Sequence, residues 1–165
     1  MTTTTAPPTY RFDPELDLVL EREIDVPVEL VWEAWTKPEH VKEWFTPRPW
    51  TAPECEIDLR PGGLFRTVMR GPEGEEFENI GCYLEIVERR RLVFTSAMGP
   101  GYRPIDQDDL PFTAIVTMEP TAAGTRYTAT AVHRDPEGRV KHEKMGFHEG
   151  WGAALDQLVA LARTL

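Results

Sequence analysis

The sequence predicts an α+β fold: one strand, two short helices, five or six antiparallel strands, then one long terminal helix. Three observations carry that reading. Apolar residues alternate at period two through the middle of the chain, between Gly- and Pro-containing turns, which is the pattern of hairpins and hence of an antiparallel sheet. Helical spacing is confined to the residues after Pro27 and to the C-terminal stretch. A sheet this long tends to curl, and the last helix alone has the length to fill its hollow.

The first strand covers residues 16–25, "LDLVLEREID", with Leu16, Leu18, Leu20 and Ile24 on one side and Arg22 among them. Pro27 opens a helix in the first turn, where a missing N–H costs nothing, and Val31, Ala34 and Trp35 share its inner face. "TKPEH" has the spacing of a capping box, Thr36 with Glu39, and predicts a second short helix presenting Val41, Trp44 and Phe45. Strands follow in "TAPECEIDL", in "GLFRTVMR" and in a long segment from Phe77 to about Glu88, with Gly81 the expected bulge. Arg89 to Arg91 turn the chain into "LVFTSA". Residues 98–111 form the one long loop, with the Gly and Pro content of a lid. "FTAIVTMEP" and "TRYTATAVHR" pair across "TAAG" as a last hairpin.

The terminal segment, residues 142–162, is unusual in carrying Gly146, Gly150 and Gly152 within a helical pattern, where each glycine costs about 1 kcal/mol relative to alanine. A turn of about 100° per residue puts Phe147, Trp151, Ala154, Leu158 and Leu161 on one sheet-facing stripe. Gly146 and Gly150, with Ala153 and Ala154, form a slim stripe beside it. That flank serves either close approach to a neighbour or a cavity beside the aromatics, and Gly146 is also a place for a bend.

The totals restrict function. The 165 residues fit one domain over 16–165, after a flexible Thr- and Pro-rich tail over 1–15. A domain of this size buries roughly 70% of its unfolded surface. A 41% hydrophobic content with five tryptophans is globular rather than disordered. The net charge of −10 opposes nucleic-acid binding, and no apolar run suits membrane insertion. Two cysteines, Cys55 and Cys82, without an apolar leader predict a reduced, cytoplasmic protein with both thiols as small buried hydrophobes.

No dedicated catalytic constellation appears. His142 and His148 are six residues apart, not the four of a zinc-protease helix, so no metal site is expected and the histidines are read as solvated. There is no nucleophile elbow, no activated cysteine motif and no phosphate loop. Arg22, on the inward parity of the first strand, and Glu143, one turn before Phe147, are the charges placed on apolar faces. Each reaches solvent at an element end or projects into a pocket to orient a ligand, Glu143 then with the raised pKa of a general acid or base.

"IDVPVELVWEAWTKPEHVKEWF", "RPGGLFR", "GCYLEIVERRRLVFT" and "GFHEGWGAALDQL", in this order, resemble the START-like or SRPBCC superfamily. More narrowly they resemble the C-terminal domain of the heat-shock-protein ATPase activators, over about residues 16–162. The resemblance implies a helix-grip fold, with the sheet wrapped around the terminal helix and a hydrophobic pocket between them. It implies no cofactor. A carrier or sensor of a small apolar molecule is the first function; the alternatives are a cofactor-free cyclase, dehydratase or hydrolase, and a chaperone-stimulating module. About fifteen residues precede the first strand, where the activators carry a further domain, so a chaperone partner is not expected. A homodimer is left open. The residues assigned to ligand binding are Trp35, Trp44, Phe45, Phe65, Tyr83, Phe94, Phe147 and Trp151 as apolar lining, Gly146 and Gly150 as the space-making flank, and Arg22 and Glu143 as polar groups. Tyr83 stands out because a buried hydroxyl needs a partner.

Overall fold

The computed structural model describes residues 9–106 and 110–165. Strand β1 (Asp17–Ile24) leads into helices α1 (Val28–Thr36) and α2 (Pro38–Trp44). Strands β2 (Thr51–Ile57), β3 (Leu64–Arg70), β4 (Glu76–Val87) and β5 (Arg91–Thr95) follow. A miniature hairpin, β6 (Met98–Gly99) and β7 (Arg103–Pro104), precedes β8 (Phe112–Pro120) and β9 (Thr125–His133). Helices α3 (Pro136–Lys144) and α4 (Phe147–Ala162) end the fold.

Among the described residues the main sheet has seven strands in the order β1-β9-β8-β5-β4-β3-β2, and every neighbouring pair is antiparallel. Strands β1 and β2 are therefore the two edges. The chain between them must cross six strand spacings of about 4.8 Å each, roughly 29 Å. Helices α1 and α2 make that crossing on the face that α4 also covers. The α+β, helix-grip architecture follows from this one connection, because all three helices bury their apolar stripes against the same side.

Strand parity sets that side. Tyr127, Ala129 and Ala131 on β9 lie beside Met118, Val116 and Ala114 on β8, and Leu92 and Phe94 on β5 continue the rows. Tyr83 on β4 pairs with Phe94, and Phe65 on β3 faces the same way. From the helices come Val31, Ala34, Trp35, Val41 and Trp44, with Ala154, Leu155, Leu158 and Ala162 of α4. Leu155 and Leu158 are almost fully enclosed, worth about 1.5–3 kcal/mol each by area removed from water. Trp35 Nε1 donates to the Tyr127 hydroxyl at 3.1 Å, and Trp44 Nε1 donates to the Ala34 carbonyl at 2.8 Å.

Four expectations are corrected. The terminal segment is two helices, because Gly146 takes φ +96°, a left-handed conformation outside helical space, and breaks the run. Helix α3 begins earlier, with Pro136 at its first position and Asp135 accepting a bond from Gly138 N at 2.8 Å. Thr36 is no cap for α2: it is the last residue of α1, its hydroxyl donates to the Trp32 carbonyl, and the extended Lys37 before Pro38 holds the cap position. The irregularity of β4 falls between Tyr83 and Glu85 rather than at Gly81. Gly81 is needed for close approach instead, since a β-carbon there would lie 3.2 Å from the Thr95 carbonyl oxygen and 3.3 Å from that of Phe65.

The long loop does not roof the interior. Gly99 packs toward Ile80 and Ile105, and Gly101 N donates to Gly62 O at 2.8 Å. Ile80 pairs with Arg66, on the parity opposite to Phe65, so this part of the loop lies on the outer side of the sheet. Residues 107–109, its acidic end, lie outside the described residues, as do residues 1–8 of the tail. The rest of that tail is tied to β1, with Tyr10 donating from its hydroxyl and Asp13 from its backbone N–H to the buried Asp17 carboxylate.

Candidate functional site

Six of the residues assigned to ligand binding come together between the sheet and the helices. Helix α1 supplies Trp35, the end of α2 supplies Trp44 and then Phe45, and β3, β4 and β5 supply Phe65, Tyr83 and Phe94. Period-two strands and helical spacing aim all six inward. Phe65 stacks on Tyr83 with ring centroids 5.4 Å apart, and Phe94 stands edge-on to Phe65 at 4.9 Å. Trp35 meets Trp44 at 4.8 Å, and Phe45 closes the cluster against Phe65 at 5.7 Å. Phe45 and Phe94 are partly exposed, so the cluster has a wet rim and a dry floor.

The floor contains one anomaly. Tyr83 is 1% exposed, and its hydroxyl has no hydrogen-bond partner among the described residues. Leaving such a group unpaired costs about 1–3 kcal/mol. Burial pushes its pKa far above the ordinary tyrosine value, with the Cys55 thiol nearby adding to the shift, so the phenol stays protonated. Burial also pushes the Cys55 thiol up, to about 11. Both shifts favour the protonated forms, so the phenol and the thiol are hydrogen-bond donors on this floor.

The remaining candidates lie elsewhere. Phe147 and Trp151, with ring centroids 4.5 Å apart, belong to a second cluster around His142 and Phe112. Arg22 does share the inward parity of β1, opposite Tyr127, yet its guanidinium runs past Gly152 to an exposed pair with Asp156 at 2.6 Å. Glu143 sits at the α3–α4 corner, bonded to Arg139 at 3.0 Å and near His148 at 3.5 Å. Of the two roles left open for the flank of Gly146 and Gly150, close approach to a neighbour or a cavity beside the aromatics, neither is seen at these two residues. Both glycines are partly exposed, and a β-carbon on Gly150 would meet nothing within 4 Å, so this flank opens on the exterior. The close-approach role falls to Gly152, where a β-carbon would sit 3.0 Å from the Arg22 guanidinium.

Two surface depressions lie away from the aromatic cluster. One of about 640 Å³ lies at the strand-end turns, between the start of α1, Arg89, Arg90 and the β8–β9 turn. The other, about 220 Å³, lies between Leu110 and the start of α3. None of the residues assigned to ligand binding lines either one.

Sequence reasoning missed two polar devices. The first is a buried histidine pair, not the solvated histidines expected. His133 Nδ1 is 2.7 Å from the Leu16 carbonyl oxygen, and His133 Nε2 is 2.8 Å from His142 Nδ1. A carbonyl only accepts, so His133 carries its proton on Nδ1 and, when neutral, accepts from His142 through Nε2. Burial pushes the His142 pKa down to about 4, and the neighbouring His133 adds to the shift. The parity of His133, two residues beyond Ala131, was the available signal. Among the described residues no group of three or more His, Cys, Asp or Glu side chains stands close enough to hold a metal ion. The second device is Gln157 on α4, whose amide donates to the Trp44 and Thr46 carbonyls at 3.0 and 2.8 Å and accepts from Arg48 N at 3.0 Å.

A seven-stranded antiparallel sheet whose inner face is covered by a two-helix crossover and a terminal helix defines a START-like, helix-grip domain, a fold of ligand-binding type. The chain belongs to the family described as activator of Hsp90 ATPase homolog 1-like protein, whose model matches residues 25–163. Among solved structures it is similar to protein NE0264 from Nitrosomonas europaea, with 51% identity over 93% of this chain and 97% of that one and a TM-score of 0.89. Protein Ms6760 from Mycobacterium smegmatis is 27% identical over 89% of this chain and 90% of that one, with a TM-score of 0.75. An AHSA1-like protein from Aeromonas hydrophila, 20% identical over 90% and 93% with a TM-score of 0.67, shares the fold. No curated protein matches. Among the described residues no helix is long and apolar enough to cross a membrane.

Proposed function

We propose that the protein binds a small, flat, uncharged molecule carrying a hydrogen-bond acceptor, in the aromatic interior between the sheet and its helices, as a carrier or sensor. The observation that carries this reading is the unpartnered Tyr83 hydroxyl, enclosed by Phe65, Phe94 and their neighbours. A donor held at a cost in the free protein gains its bond when a carbonyl or ether oxygen arrives. The rings around it supply apolar area on both faces of a planar guest. The neutral state of Tyr83 and Cys55 favours binding over acid–base chemistry, and the net charge of −10 disfavours anionic guests.

Prodan, a neutral aromatic ketone whose emission reports its surroundings, tests the reading. Wild-type protein gives a saturable blue shift with quenching of tryptophan emission. Tyr83→Phe keeps the fold and weakens prodan affinity about fivefold, the worth of one hydrogen bond. A response that never saturates, or equal affinity in the two proteins, would refute the assignment.

A further inference from the structure

Neither of the two depressions described above reaches the aromatic interior, and its rings pack on one another, so a guest must move something to enter. The segment that stands in the way is residues 45–50, between α2 and β2. Its first residue, Phe45, rests on Trp35, Trp44 and Phe65, with centroids 6.0, 5.5 and 5.7 Å away, and so covers the ring that stacks on Tyr83. Thr46, the next residue of the segment, is buried.

One side chain fastens this segment to the terminal helix. Gln157 projects from α4, and its amide nitrogen donates to Trp44 O and Thr46 O while its oxygen accepts from Arg48 N. The three bonds are chemically consistent in one orientation of the amide. Turned over, the amide would set its oxygen against two carbonyls and its nitrogen against an N–H. The contacts fall on alternate residues, 44, 46 and 48, so a single helix residue grips the whole first half of the segment. An upstream feature matters too. Gly150 and Ala153 precede Gln157 at helical four- and three-residue steps on the same flank of α4. At Gly150 the space beyond the helix is open. The flank is thus open at Gly150 and tied down at Gln157, two turns further on.

We infer that Gln157 is the clasp of a gate: release of its amide lets residues 45–50 swing Phe45 off Phe65 and admits the guest to Tyr83. This rests on the binding reading above. Each neutral bond of this kind is worth roughly a factor of five in an equilibrium, so losing the two to Trp44 and Thr46 raises the open population about 25-fold. Apparent affinity and association rate follow that population, because a guest that binds only the open form is penalised by the fraction closed.

The test is stopped-flow binding of prodan to wild type and Gln157→Leu, with amide hydrogen exchange read at Arg48. The expected result is association at least tenfold faster in the variant, together with faster Arg48 exchange and an unchanged sheet. Prodan binding to both proteins at one rate overturns the gate while leaving the binding site standing. Prodan binding to neither overturns the binding reading, and the gate falls with it. Should Gln157→Leu fail to fold, Gln157→Glu replaces it. A carboxylate still accepts from Arg48 N but cannot donate to Trp44 O or Thr46 O, and the same acceleration is expected. In wild type alone, Arg48 exchange as fast as an unprotected amide also overturns the gate.

Discussion

Acid should loosen the protein through His142. The imidazole is 7% exposed, ringed by Phe112, Phe147 and Trp151 at centroid distances of 4.8, 5.3 and 5.9 Å, and bonded to His133. The other groups about the pair are the Asp135 carboxylate, whose charge interacts with His133, and the Leu16 carbonyl. A charged His142 would have to sit against three aromatic rings and an adjacent imidazole, and its folded pKa is pushed from 6.5 down to about 4. A histidine depressed in the folded state contributes its full stability above the unfolded pKa of 6.5. That contribution is lost as the pH falls toward 4, because the unfolded chain takes up the proton first. Integrating between those two values gives a loss of about 1.4 kcal/mol at pH 5.5 and about 3 kcal/mol at pH 4.

The comparison that isolates this group is His142→Phe, a ring that suits the same aromatic surroundings and cannot titrate. Urea unfolding at pH 7.5, 5.5 and 4, followed by tryptophan fluorescence and far-UV circular dichroism, gives the stability of each protein. Carboxylate protonation weakens both chains alike. The wild-type-minus-variant difference should therefore move against wild type by about 3 kcal/mol across the range, most of it below pH 6. Parallel curves, with a difference constant to about 0.5 kcal/mol, would refute the argument and mean that His142 is solvated in the folded state.

Two smaller tests bear on the terminal helices. Gly150→Ala should stabilise by about 0.5–1 kcal/mol, a rise of roughly 1–4 °C in Tm by thermal melt, since the added methyl meets nothing and helix propensity improves. It should leave prodan affinity unchanged, and a loss of binding would return Gly150 to the site. Asp135→Ala removes the oxygen that caps Gly138 N and should cost about 1 kcal/mol in denaturant unfolding, whereas no change would mean that the start of α3 is already frayed.

What the sequence disclosed follows the reach of its periodicities. Period two set the side of Phe65 on β3, and Tyr83 and Phe94 joined it as apolar lining, but their stacking on one another rests on the register of β3, β4 and β5. Helical spacing set the inward side of Trp35 and Trp44. Arg22 shows where parity stops: its side was right, but α4 lies close enough at Gly152 for the guanidinium to slip past into solvent, and no local pattern encodes that distance. Glu143 was misplaced for a related reason. Its position on a sheet-facing stripe presumed one continuous helix, and the left-handed Gly146 resets the phase between α3 and α4. The His133–His142 pair and the Gln157 clasp join residues on different elements, 9 and 113 positions apart at the longest contact of each. Such contacts depend on tertiary distances that composition and spacing leave undetermined.

On the proposed reading, Tyr83 and Gln157 act on opposite sides of one equilibrium, so that a packed interior is compatible with binding. In the free protein the rings fill the space and the tyrosine donor goes unmet, at a cost of about 1–3 kcal/mol. The clasp offsets opening of the gate by three hydrogen bonds, but water replaces those bonds when residues 45–50 swing out, so the barrier stays modest. A guest that satisfies Tyr83 recovers the penalty of the unmet donor, and an apolar molecule of the same shape without an acceptor does not. Discrimination therefore resides at the floor of the site, in the affinity, while the speed of loading resides at its rim, on a helix residue that never touches the guest.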